Sequence, residues 1–257
     1  MDTKKTLASD IEVQHINPYN AQHIGMREEQ QDYFAFSDIF NTEEYQRIGA
    51  VAVLSDGMGG LADGRRASRM TVDVFLNTYR ETETADINDR LLYAAKEANE
   101  YVQTLEGAGS TLCAVVIKDG RLYWLSIGDS RIYLYRNGSL RQLNKEHNYE
   151  KVLNEKVLNG ELSLAQAVND PNRAALTSYI GMGEIEEIDL NRDIFPVFKG
   201  DSVLLCSDGL YRALSEEEMA FALKNAGTNV CDVLVKRALA KNIEAQDNIT
   251  VVLMDVD

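Results

Sequence analysis

Short apolar runs bounded by Gly, Asp and Asn recur along the chain. They predict strands at Asp32–Ser37, Ile48–Leu54, Thr111–Lys118, Leu122–Ile127, Ile132–Tyr135, Ser202–Cys206 and Ile249–Met254. Lys118-Asp119-Gly120-Arg121 and Arg136-Asn137-Gly138-Ser139 predict tight hairpins, because Asp-Gly and Asn-Gly supply the positive φ angles such turns require. The middle of the chain therefore reads as an antiparallel meander. Elsewhere apolar residues recur every three or four positions, which predicts helices over Gly64–Thr82, Ile87–Leu105, Ser215–Asn225 and Asn229–Lys241. Ser215 and Glu218 read as a capping box. Helices that come in pairs between strands, without strict alternation, predict an α+β layered architecture. The polar segment from Glu146 to Pro171 reads as a flap of short helices inserted between two strands, outside the core. No linker, repeat or low-complexity segment divides the chain, so one domain over residues 1–257 is expected.

Composition narrows the function. Hydrophobic residues at 45% and charged residues at 26% allow a packed core. A formal net charge of -15 repels nucleic acid and anionic lipid, so neither is expected as a partner. If so acidic a chain handles phosphate, it must bring positive charge in locally, as arginine or metal. Cys113, Cys206 and Cys231 are odd in number, form no CxxC and lie in apolar stretches, which suits buried free thiols in a reducing compartment. Met1 to Asp10 is not followed by the apolar run of a signal peptide, and no stretch approaches the roughly 20 apolar residues of a membrane span. A cytoplasmic location is expected.

One pattern carries chemistry. Val51–Leu54 runs into Ser55-Asp56-Gly57, Val203–Cys206 into Ser207-Asp208-Gly209, and Leu122–Ile127 into Gly128-Asp129-Ser130, while Asp247-Asn248 precedes the last strand. Aspartates at strand ends can converge at one sheet edge, where several carboxylates repel and call for a cation. Magnesium and manganese suit such a site, since they prefer oxygen ligands. Glycine lets the backbone come close enough for a carbonyl such as that of Gly57 to join them. A single Asp-Gly after a strand is ordinarily a turn, as at Asp119-Gly120, and spacing alone leaves both readings standing.

Taken in order, these residues resemble the metal-dependent protein phosphatases of the 2C class in their short bacterial form. The resemblance runs from about Gly25 to Val256. Its pieces are Ile24-Gly25-Met26-Arg27 before Gln31-Asp32, Ser55-Asp56-Gly57-Met58-Gly59-Gly60, Gly109-Ser110-Thr111-Leu112, Gly128-Asp129-Ser130-Arg131, Asn172 to Gly181, Ser207-Asp208-Gly209-Leu210 and Asp247-Asn248-Ile249-Thr250. The resemblance implies a four-layer α-β-β-α sandwich, two antiparallel sheets flanked by helices. It implies that Asp56 bridges two Mn2+ or Mg2+ ions, with the Gly57 carbonyl on one of them and Asp208 and Asp247 on the other. Asp129 would join Asp208 on a third, weaker ion. Asp32 and Asn248 would support the site from behind, and Arg27 would hold the substrate phosphate. The implied activity is hydrolysis of phosphoserine and phosphothreonine by a water whose pKa two cations lower, with the metals and Arg27 offsetting phosphoryl charge. The implied partners are phosphoproteins, among them a serine/threonine kinase and its targets, and the implied state is a monomer.

The chain departs from the family in places. Met58 stands where many animal members have a histidine general acid. Gln30-Gln31 replaces the commoner Asn-Glu pair, Leu61 and Arg65 replace a histidine and an acid, and Glu146-His147 replaces Asp-His. A structural role is favoured for His147. Two rival readings stand beside the phosphatase. Cys206 to Arg212 fits the C-x5-R pattern of cysteine phosphatases, although Asp208 would then set a negative charge by the cradle. A member that had lost its ligands would be a catalytically silent phosphoprotein-binding regulator, yet every expected aspartate is present.

Overall fold

The computed structural model describes residues 15–59 and 62–257. The N-terminal segment read for a signal, together with Gly60 and Leu61, lies outside the described residues. In chain order the elements are β1 (Ile16–His23), β2 (Asp32–Phe36), α1 (Thr42–Ile48), β3 (Ala50–Met58), α2 (Ala62–Glu81), α3 (Ile87–Val102), β4 (Gly109–Ser110), β5 (Leu112–Lys118), β6 (Arg121–Ile127), β7 (Arg131–Arg136) and β8 (Ser139–Gln142). There follow α4 (Tyr149–Leu158), α5 (Leu164–Val168), β9 (Asp189–Leu190), β10 (Ser202–Cys206), α6 (Asp208–Tyr211), α7 (Glu216–Asn225), α8 (Val230–Ala240) and β11 (Ile249–Val256).

The strands form two antiparallel sheets, one ordered β1-β11-β10-β7-β8 and the other β2-β3-β5-β6-β9, with β4 added to β3. Period-two alternation assigns their faces. Ala50, Ala52 and Leu54 point between the sheets with Cys113, Val115, Val203, Leu205, Val252 and Met254. Val51 and Val53 point outward onto α2 and α3, where Val72, Phe75, Leu76 and Tyr79 repeat at helical spacing. On the other side Leu204, Cys206, Val251 and Leu253 meet Leu210, Met219, Leu234, Val235 and Ala238 of α6, α7 and α8. The result is the expected α+β sandwich of two sheets flanked by helices. Because the central strands are covered on both faces, they read as continuous apolar runs.

Both hairpins form, with Asp119 and Gly120 at φ 50 and 69 and Asn137 and Gly138 at φ 53 and 81. Ser215 and Glu218 make the capping box. Three expectations change. Ile48 closes α1 and does not open a strand; the Asn41 side chain caps this helix by accepting from the Glu43 and Glu44 N–H groups, and Gly49 ends it. β1 went unread because it is polar and contains Pro18, which an edge strand paired only with β11 tolerates. β3 continues through Asp56 and Gly57 to Met58, so Asp56 lies inside its strand. Within residues 146–171, α4 and α5 contribute nothing to the three apolar clusters. Among the described residues no helix is long and apolar enough to cross a membrane.

Candidate active site

Asp56, Asp129, Asp208 and Asp247 all line one cavity of about 660 Å³, together with Arg27, Gly57, Met58, Thr111, Arg212, Asn248, and Ala174 and Leu176 from the segment after the flap. Each acid is delivered by a different piece of the sandwich. Asp56 is fixed through its backbone, its N–H donating to Thr111 Oγ1 at 2.9 Å and its carbonyl accepting from the Thr111 N–H at 2.9 Å. Asp32 stands opposite it across the β2–β3 pair. Asp129 sits in the β6–β7 turn, where His147 clamps Gly128: Gly128 N–H donates to His147 Nδ1 at 3.1 Å and His147 N–H donates to the Gly128 carbonyl at 2.9 Å. Asp208 opens α6, and Asp247 immediately precedes β11.

The glycines of the Asp-Gly pairs serve packing between backbones. A Cβ on Gly57 would stand 2.1 Å from the Gly64 carbonyl oxygen of α2, and one on Gly209 would stand 2.1 Å from the Asn248 carbonyl oxygen. The second contact is what draws Asp208 against the Asp247-Asn248 segment. Asn248 is buried and uses its whole amide: Nδ2 donates to the Ile24 and Glu29 carbonyls at 2.8 and 3.1 Å, and Oδ1 accepts from the Gln31 N–H at 2.7 Å. It thereby ties the 24–31 loop, and with it Arg27, to the acids. Arg27 Nη2 pairs with Asp247 Oδ2 at 2.7 Å.

The electrostatics agree with the crowding. Burial, followed by the charges of Asp32, Asp208, Asp129 and Asp247, holds the Asp56 carboxyl well above the usual range. Burial pushes Asp208 up to about 7, with Asp129, Asp247 and Asp32 adding to the effect and Arg212 opposing it. Burial pushes Asp32 up to about 6 against the hydroxyls of Thr250 and Ser207, which donate to its Oδ2 at 2.6 and 2.7 Å. Asp129 is raised by burial and pulled back by Arg212.

Two observations bear on a cation. Asp32 Oδ1 and Asp208 Oδ1 are buried with no donor facing them, which is costly for carboxylate oxygens unless a positive charge compensates. Among the described residues, no group of three or more His, Cys, Asp or Glu side chains is arranged to hold an ion by itself. An open site that completes its shell with water and a backbone carbonyl fits both, and magnesium and manganese commonly keep several waters. The residues present therefore fit a divalent ion.

Sequence reading did not assign Thr111, Ser207, Thr250, Tyr211 or a site role for Arg212. The first three lay within quoted motifs, and only the fold shows that their hydroxyls hold Asp32 and Asp56. Tyr211 and Arg212 follow Asp208 directly on α6. His147 is buried, and burial lowers its pKa, so it serves as a clamp and is not part of the cavity wall. Met58 lines the cavity and offers no proton to a leaving group. The cysteine-phosphatase reading fails. Cys206 is fully buried among the apolar residues under α6 to α8, burial pushes its thiol up to about 12, and Arg212 is engaged by Asp208.

Comparison with known proteins gives a concordant picture. The family model described as protein phosphatase 2C matches residues 20–246. The serine/threonine phosphatase stp of Listeria monocytogenes is 32% identical over 232 residues, spanning 85% of this chain and 88% of the relative. The serine/threonine protein phosphatase PstP of Mycobacterium tuberculosis is 32% identical over 225 residues, spanning 84% of this chain and 42% of that protein. Among solved structures, the S. agalactiae serine/threonine phosphatase superimposes with a TM-score of 0.81 at 28% identity, covering 95% of this chain and 100% of that one. The catalytic domain of PstP in complex with two manganese ions superimposes with a TM-score of 0.72 at 28% identity, covering 94% and 98%.

Proposed function

Because the chain belongs to the protein phosphatase 2C family, we propose that it is a metal-dependent phosphatase of phosphoserine and phosphothreonine in proteins. The observation that carries this reading is the set of buried, mutually repelling carboxylates, with an orphaned oxygen on Asp208 in the wall of an open cavity and another on Asp32 behind it. Asp56, Asp208, Asp247 and the Gly57 carbonyl would hold two divalent ions, either Mn2+ or Mg2+. Such ions polarise phosphoryl oxygens and make water acidic enough to be a nucleophile near neutral pH.

The chain's own groups do the rest. Asp32, fixed by Ser207 and Thr250 and paired across β2–β3 with Asp56, would support that acid from behind the cavity wall. Arg27 holds the Asp247 carboxylate that a cation there would need, so a bound cation would free its guanidinium. On its loop fastened by Asn248, that guanidinium would be placed to bind two phosphoryl oxygens at once. Ala174 and Leu176 form the wall by which the segment after the flap meets the substrate's flanking residues. Phosphoproteins are the substrates in this reading, a serine/threonine kinase and its targets among them. Three free buried thiols support a reducing, cytoplasmic setting.

The test is hydrolysis of para-nitrophenyl phosphate and of a phosphothreonine peptide with Mn2+ and with EDTA, using wild type, Asp208→Asn and Cys206→Ser. Activity that needs metal, is lost in Asp208→Asn and persists in Cys206→Ser is the expected result. Activity that ignores EDTA would sink the reading. No activity with retained binding of phosphoproteins would identify a silent regulator.

A further inference from the structure

The position between Asp129 and Asp208, where the family resemblance puts a third ion, already holds a cation of the chain itself. Arg212 Nε lies 3.0 Å from Asp208 Oδ2 and Arg212 Nη2 lies 3.8 Å from Asp129 Oδ2. The arrangement is local in origin. Asp208 and Arg212 are one turn apart on α6 and its C-cap, and the Arg212 N–H donates to the Asp208 carbonyl at 3.0 Å, so both side chains share one face. The neighbouring residue reinforces it. Tyr211 O–H donates to the same Asp129 Oδ2 at 3.3 Å, and the Tyr211 ring is held under the Arg131 guanidinium at 3.7 Å. Arg131 is in turn pinned by Glu146 at 2.5 Å.

A magnesium or manganese ion needs oxygens at about 2.0–2.2 Å in near-octahedral array. Here one oxygen of each acid is taken, and a guanidinium stands in the gap with its charge and volume. Asp129 and Asp208 are mostly buried, their side chains 10% and 15% exposed, whereas the Asp247 that Arg27 holds is 35% exposed; Arg212 thus meets two acids where water screens weakly and Arg27 meets one where it screens more. The oxygen left without a partner, Asp208 Oδ1, stays free for another cation.

We propose that Arg212 is a tethered cation that replaces the third divalent ion between Asp129 and Asp208, and that the ions of this protein bind only at the Asp56 and Asp247 side of the cavity. This rests on the metal-dependent reading of the site. Being covalently attached, the guanidinium loses no translational freedom on docking and cannot be diluted away. Occupancy between Asp129 and Asp208 is therefore independent of metal concentration.

Counting bound Mn2+ tests it, by electron paramagnetic resonance of free Mn2+ and by calorimetry on the intact chain. Wild type and Asp129→Asn are expected to bind equal numbers of ions. Arg212→Ala is expected to bind one more, more weakly, and to lose that extra ion in the Arg212→Ala/Asp129→Asn double variant. Arg212→Gln repeats the count with side-chain length preserved, and thermal melts confirm that each variant folds. Loss of an ion from wild type on Asp129→Asn, or an unchanged count in both Arg212 variants, would overturn the proposal and leave the metal-dependent reading intact. Absence of Mn2+ binding in every protein would overturn both.

Discussion

Replacing Asp208 by asparagine should stabilise the metal-free protein while removing its activity, and the size of the gain can be worked from the structure. Burial and the charges of Asp129, Asp247 and Asp32 raise this carboxyl from 3.8 to about 7. A group whose folded-state pKa stands above its unfolded value favours folding at low pH, and that contribution is lost as the pH rises through the folded value. Below pH 3.8 Asp208 is neutral in both states and asparagine changes little. Between pH 4 and 7 the wild type weakens progressively, and above pH 7 the cost of the buried charge is complete, on the order of 4 kcal/mol. The charge pairing with Arg212, which asparagine gives up, opposes the rise and is already contained in the value of about 7, so it is not subtracted again. Asparagine still offers an acceptor to Arg212 Nε and can place an amide where Oδ1 now has no partner.

The net gain is therefore on the order of 4 kcal/mol, or roughly 8–16 °C in melting temperature for a chain of this size. The assay is thermal unfolding in EDTA at pH 5, 6, 7 and 8, followed by circular dichroism. The variant should melt above wild type at pH 8, and the gap should shrink toward pH 5. Saturating Mn2+ should raise the wild type by about 2.7 kcal/mol for each site filled to a hundredfold excess over its Kd, and the variant by less. A variant that melts at or below wild type in EDTA at pH 8, or a gap that ignores pH, would refute the argument that repelling carboxylates make this site a cation receptor.

Arg27→Ala should lower kcat/KM on a phosphothreonine peptide by about 10- to 100-fold, as loss of a charged phosphate contact does, and leave the metal-free melting temperature nearly unchanged because its pair with Asp247 is half exposed. Asn248→Ala deletes three hydrogen bonds from a buried side chain and should cost about 2–3 kcal/mol in denaturant unfolding, with kcat/KM falling as the Arg27 loop loosens. His147 should titrate by NMR below its ordinary 6.5, since burial disfavours the imidazolium. Its contribution to stability is then present above pH 6.5 and lost as the pH falls through the folded value, opposite in sign to that of the acids, and a pKa above 6.5 would contradict the buried clamp.

The layers were legible because strands covered on both faces and helices with apolar stripes leave different periods in the sequence. β1 left neither, as an edge strand of mixed polarity, and α1 was hidden because Ile48 abuts the run that begins at Ala50. The acids were legible for a different reason. Asp56 and Asp208 each sit beside a glycine that the fold needs for a close backbone approach, so the dipeptide marks the place even though the approach is to Gly64 and Asn248 and not to a ligand. What could not be read were the side chains that act across long separations. Thr250 and Ser207 reach Asp32 from 218 and 175 residues away, and nothing local in the sequence announces such a bond. The guanidinium of Arg212 is the converse case. It is one helical turn from Asp208 and was visible, but its pattern with Cys206 invited a chemistry that burial of the thiol excludes.

Charge at the cavity also explains how so acidic a chain handles an anionic substrate. The described lining carries Glu28, Glu29, Asp56, Asp129, Asp208 and Asp247 against the guanidiniums of Arg27 and Arg212, an excess of four negative charges when all are ionised. A phosphomonoester dianion would add to that excess and be repelled. The two divalent ions proposed would cancel it, in the part of the cavity where burial has made ionisation of Asp56 and Asp208 unfavourable. Were Asp247 to turn to such an ion, Arg27 would be freed from the pair it now makes and its charge would become available to the phosphate. On this reading metal loading would precede productive substrate binding for an electrostatic reason. The net charge of -15, which argued against nucleic acid and membrane partners, is compatible with phosphate chemistry if the compensating charge is concentrated at this one site.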